Sequence, residues 1–98
     1  TGSSIAISAI SLWELAWLVQ NGRIQISGTV ESFVRECTSR VTILPITADI
    51  AAHAVQLPPN YPKDPQDRLI GSTARIEGIP LVTADENIRR SHTVQTIW

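Results

Sequence analysis

The sequence predicts an α/β domain with a mostly parallel sheet, and three observations carry that expectation. Short aliphatic, β-branched runs recur at Ile5 to Ile10, Val41 to Ile46, Leu81 to Thr83 and Val94 to Trp98, the composition of buried strands. Stretches with apolar residues at helical spacing lie between these runs. Each helical stretch opens near a capping residue, and three of them close on glycine or proline. Helices alternating with short apolar strands are the pattern of a parallel α/β sheet. The 98 residues show no break in composition, repeat or linker, so residues 1–98 read as one domain.

The first run alternates aliphatic residues with Ala and Ser and reads as a strand from Ile5 to Ile10. Ser11 follows as a helix N-cap, and Ser11-Leu12-Trp13-Glu14 fits the capping-box pattern, with Asn21-Gly22 as the stop. Trp13 and Trp17 stand four apart on this helix and are expected in core or interface packing. From about Thr29 a second helix sets Val30, Phe33, Val34 and Cys37 on one face and Glu31, Arg35 and Glu36 toward water. Val41 to Ile46 is the next extended run. Thr47-Ala48-Asp49 then opens a third helix with Ile50, Ala51, Ala54 and Val55 as its apolar face, and Pro58 to Pro62 ends it. Asp64 caps a fourth helix with Pro65 in its first turn. Leu69, Ile70, Thr73 and Ala74 face inward and Gly78 is the stop. Leu81-Val82-Thr83 is a buried strand, Asp85 caps a short helix through Arg90, and Val94 to Trp98 closes the chain as a strand.

A formal net charge of -1 gives no global signal for nucleic acid or membrane, so such a partner must be met by a local patch. Cys37 is the single cysteine, which rules out an internal disulfide and makes a reduced cytoplasmic setting the default. On its apolar helix face it reads as a small core residue. No apolar run reaches the length of a membrane span.

Chemistry, if there is any, belongs to the acids. Of nine acidic residues, Glu14, Asp67 and Asp85 share a place in the layout, each in or beside the first turn of a helix after a strand or loop. In a parallel sheet such places gather at the carboxyl edge, where ligands bind. Helix N-termini favour negative charge, and clustered carboxylates repel unless a cation sits among them. Mg²⁺ or Mn²⁺ suits such an oxygen-rich site. Each acid also has a plain explanation as a cap or capping accessory. Thr-Ala-Asp occurs twice, at Thr47 to Asp49 and Thr83 to Asp85, and Asp49 reads as a cap with no further role. Pattern alone does not separate the two copies.

Taken together, Ile10-Ser11-Leu12-Trp13-Glu14-Leu15-Ala16, Asp64-Pro65-Gln66-Asp67-Arg68-Leu69-Ile70 and Leu81-Val82-Thr83-Ala84-Asp85 resemble a PIN domain, closest to the VapC-type toxins of toxin–antitoxin pairs. Ile43 to Thr47 and the closing Thr96-Ile97-Trp98 are also similar to that family, so the ordered match covers essentially the whole chain. The resemblance implies a three-layer α/β/α sandwich and metal-dependent cleavage of RNA. It makes Glu14, Asp67 and Asp85 the catalytic, metal-holding acids for Mg²⁺ or Mn²⁺, with Thr83 and Asp64 lining the site. Asp64 ranks below Asp67 because it looks like a cap. A metal-activated water would be the nucleophile. Arg68, beside Asp67, is the leading candidate to hold RNA phosphate, with ion pairing at the surface as the alternative. The partners implied are RNA and a cognate antitoxin, with a homodimer in keeping with the family.

PIN domains begin with a strand that carries an aspartate, followed by a helix, ahead of the strand seen here at Ile5. Residues 1 to 10 contain no acid. The expectation is an N-terminally incomplete copy, lacking that strand and helix and inactive or weak by itself. A catalytically dead PIN scaffold that binds RNA or protein is the competing reading. A phosphoacceptor domain of the receiver kind would need a lysine at the site, and Lys63, the only lysine, lies in a Pro-rich loop.

Overall fold

A computed structural model of the chain describes residues 5–82 and 86–97. Backbone contacts divide the chain into two compact units, Thr1–Pro45 and Ile46–Trp98.

In the first unit β1 (Ala6–Ser8) and β2 (Thr42–Leu44) pair in parallel, with Ala6 opposite Thr42 and Ser8 opposite Leu44. Parallel neighbours need a long crossover. Here α1 (Ala9–Gln20) and α2 (Val30–Thr38) supply it. The first strand is shorter than the sequence implies, and its helix starts earlier. Ser8, not Ser11, is the N-cap, its hydroxyl accepting from the Ile10 amide at 3.3 Å. The β1–β2 ladder ends at Ser8 and Leu44, and the helix begins at once from Ala9. The expected capping box is absent, because Ser11 lies inside α1 and no acid stands in the first turn.

Asn21 ends α1, its amide reaching the Trp17 carbonyl at 3.0 Å, and Gly22 takes a positive φ of 74°. Trp13 and Trp17 are 54% and 43% exposed in the chain, so neither is a core residue of this unit. The second helix follows its sequence pattern: Thr29 Oγ1 accepts from the Ser32 amide, and Val30, Phe33, Val34 and Cys37 are half-buried while Glu31, Arg35 and Glu36 are exposed.

The second unit packs α3 (Ala48–Val55) against α4 (Pro65–Glu77), followed by β3 (Leu81–Val82), α5 (Glu86–Ser91) and β4 (Thr96–Ile97). Strands β3 and β4 are parallel, with Leu81 opposite Thr96. The predicted parallel character holds for both strand pairs, each of two strands among the described residues. Thr47, not Asp49, caps α3 by accepting from the Ile50 amide at 3.2 Å. The buried line of that helix runs Ile50, Ala54 and on to Leu57, whereas Ala51 and Val55 face outward, Val55 being 79% exposed.

Helix α4 begins at the predicted cap and ends at the predicted glycine. Gly78 is left-handed at φ 68°, and the Ile79 amide returns to the Ala74 carbonyl at 3.0 Å, closing a Schellman turn. Its buried stripe is Gly71, Ser72, Thr73 and Ala74. Ser72 Oγ donates to the Ile50 carbonyl at 2.7 Å and so ties α4 to α3. Leu57, Tyr61, Ile88 and Val94 form a buried cluster against which Leu81 packs. Asn60 Nδ2 donates to the Ser91 carbonyl at 3.0 Å, fastening the same loop to α5.

Candidate functional site

Within the second unit, the described part of the predicted site is the N-terminal turn of α4. Asp64 Oδ1 accepts from the amides of Gln66 and Asp67 at 2.9 and 3.1 Å, with Pro65 as the first helical residue. Pro65 lacks an N–H that the helix start would leave orphaned, and its fixed φ suits the turn. Asp64 is thus a cap, and its carboxylate is occupied by the helix it starts. Asp67 sits in the first turn and is partly buried. A carboxylate there lies in the positive end of the helix field.

Tyr61 holds the other side of Asp67. Its hydroxyl donates to the Asp67 backbone carbonyl at 2.7 Å, and the ring is 1% exposed. The approach is possible because residue 71 is glycine: a Cβ on Gly71 would run into the Tyr61 hydroxyl and the ring carbon that bears it. Sequence reasoning missed both residues. A glycine amid the buried stripe of a helix, with an aromatic in the preceding loop, was the available signal.

Arg68 is placed otherwise than expected. Its Nη1 donates to the carbonyls of Ala54 and Leu57 at 3.1 and 3.3 Å, and its Nη2 to those of Pro58 and Tyr61 at 3.5 and 3.3 Å. The last carbonyls of a helix have no partner within it. The planar guanidinium fork satisfies several at once, as an ammonium would not. Arg68 therefore stitches the end of α3 and the Pro-rich loop to the start of α4, with both terminal nitrogens committed to main chain rather than turned to phosphate.

Glu14 belongs to the first unit, half-buried in the second turn of α1 rather than in its first turn. Thr83 and Asp85 lie outside the described residues; Leu81 and Val82 of β3 precede them in the chain and α5 follows. Among the described residues no three acidic, histidine or cysteine side chains come together. The candidate donors are carboxylate oxygens throughout, a set that suits Mg²⁺ or Mn²⁺ and gives a softer metal no thiolate or imidazole.

Beyond this turn, Arg89 and Arg90 both pair with Glu86 along α5, at 3.7 and 3.2 Å. They line an open cleft of about 660 Å³ with His92, Thr93, Gln95 and Thr96. Their charge is shared with a neighbouring carboxylate at an exposed surface, where such pairs are worth little.

The PIN domain family model matches residues 2–92. Ribonuclease VapC22 of Mycobacterium tuberculosis (strain ATCC 25618 / H37Rv) is 43% identical over 96 residues, a match that covers 96% of this chain and 74% of that protein. The crystal structure of VapBC2 from Rickettsia felis, bound to a DNA fragment from its promoter, superposes with a TM-score of 0.73 at 24% identity. That match covers 96% of this chain and 74% of the solved one, and at such identity it speaks to the fold.

Proposed function

The chain belongs to the PIN domain family, and from that premise we propose that it is a metal-dependent endoribonuclease, the toxin of a VapC-type toxin–antitoxin pair. The observation that carries this reading is 43% identity to a named ribonuclease across 96% of the chain. The substrate is RNA, the partner a cognate antitoxin protein, and a homodimer fits the same reading. As its fold we assign the family's α/β/α sandwich. No helix among the described residues is long and apolar enough to cross a membrane, and we place the activity in the cytoplasm.

Glu14, Asp67 and Asp85 are the acids we assign to Mg²⁺ or Mn²⁺, with Thr83 lining the site. A divalent ion held there would stabilise charge on the phosphoryl oxygens and lower the pKa of a bound water, making hydroxide available as the nucleophile. The protein's own part is positional. Asp67 projects from a helix turn whose amide is held by Asp64 and whose carbonyl is held by Tyr61. Held in this way, the main chain beneath the carboxylate is restrained, the kind of support that metal-assisted hydrolysis asks for its ligands.

The test is cleavage of a fluorogenic RNA by the protein with Mn²⁺ or Mg²⁺, with chelator and with Asp67→Asn. Metal-dependent cleavage that the chelator stops and the substitution lowers by at least about 100-fold is expected. Cleavage that survives chelation would overturn the metal-dependent reading. RNA bound but left uncut at every metal concentration would fit the inactive-scaffold reading, or the weak activity that the sequence predicts for residues 1–98 by themselves.

A further inference from the structure

We infer that Tyr61 is a positioning residue for Asp67, acting through the main chain of the turn that presents the carboxylate. The inference rests on the ribonuclease reading of that site. Three observations lead to it. Both backbone polar groups of Asp67 are gripped by side chains: Asp64 Oδ1 takes the amide at 3.1 Å and the Tyr61 hydroxyl supplies the carbonyl at 2.7 Å. A helix in its own right would satisfy that carbonyl from four residues on, so the phenol is an added restraint. It is aimed at the one residue of the turn with metal chemistry to do.

The second observation is the room made for it. Gly71 stands one turn after Asp67, where a helix gains about 1 kcal/mol from alanine. The position instead forgoes a Cβ that would strike the Tyr61 hydroxyl. The third is where the ring lies. Tyr61 is packed in one cluster with Ile88 of α5 and Leu81 of β3, the elements that flank Asp85 in the chain. Its own carbonyl is taken by Arg68, the residue after Asp67. One side chain thus bears on the turn that carries Asp67 and on the cores of the two elements bordering the other acid. Rigid support of this kind decides whether a ligand sits within a few tenths of an ångström of its working place.

Tyr61→Phe removes the hydroxyl and keeps the ring. Mn²⁺ binding, read as loss of the free-ion signal in electron paramagnetic resonance, is expected to weaken about tenfold in this variant. The cleavage rate should recover at saturating Mn²⁺. Ser72→Ala is the control, since it cuts the α4 bond to the Ile50 carbonyl farther along the helix. It should lower the melting temperature comparably and leave Mn²⁺ binding within about twofold, as a positioning role requires. Should Tyr61→Phe not fold, Gly71→Ala displaces the same hydroxyl and is expected to weaken Mn²⁺ binding as much. Equal Mn²⁺ affinity in Tyr61→Phe and the parent, or an equal loss in Ser72→Ala, would overturn the inference while leaving the nuclease reading intact. Unchanged Mn²⁺ binding in Asp67→Asn would instead remove the site assignment, and the positioning role with it.

Discussion

Gly71→Ala is the substitution whose sign the structure reverses. In an open helix interior the change gains about 1 kcal/mol, from lower backbone entropy in the unfolded chain and better helix propensity. Here the new methyl points at Tyr61, which is 1% exposed and cannot swing aside without disturbing the cluster of Leu57, Ile88 and Val94. Overpacking of this kind costs about 1–3 kcal/mol. Displacing the hydroxyl from the Asp67 carbonyl costs about 1 kcal/mol more. The net is a loss of about 1–3 kcal/mol, or roughly 10 °C in melting temperature for a chain of this size. Urea melts of a double-mutant cycle with Tyr61→Leu isolate the cause. Without the phenol in the way, Gly71→Ala should regain its ordinary stabilising sign, giving a coupling of about 2–4 kcal/mol. A Gly71→Ala variant that is more stable than the parent in the Tyr61 background would refute the reasoning. So would a cycle with no coupling.

Two more outcomes follow from the same turn. Arg68→Lys keeps the charge but cannot serve four carbonyls, so it should cost about 1.5–3 kcal/mol in denaturant melts. If stability instead holds, and Arg68→Ala lowers the salt dependence of RNA binding by about one phosphate contact, Arg68 serves RNA after all. Asp64→Ala should lose about 1 kcal/mol as a missing cap. Asp67→Asn should change the melting temperature by less than half as much while removing cleavage, and equal melting shifts in the two variants would leave Asp67 no special standing.

Much of the layout was legible because it is written in short-range bonds. Asp64 capping α4, Thr29 capping α2 and the left-handed Gly78 closing α4 each depend on partners within five residues. The family could likewise be picked out from motifs in order along the chain. The same local logic failed where a distant strand intervened. Ser11, with Glu14 three residues on, was the better cap by pattern, yet Ser8 takes the role because the β1–β2 ladder ends there and the helix starts at once. Asp49 read as the α3 cap, and Thr47, two residues earlier, takes it.

What the sequence determined by itself was the alternation of elements and the start and end of α4. These follow from propensity, capping and charge, which act over a turn or two of chain. Tertiary structure alone decided the roles of Arg68, Tyr61 and Gly71. Arg68 looked like a free cation beside an acid, and became the ligand of carbonyls seven to fourteen residues away. Gly71 looked like a weak point in a helix, and proved to be the space a buried phenol needs. Neither could be told from residue type, because close packing depends on which surfaces meet, and only the folded chain brings those surfaces together.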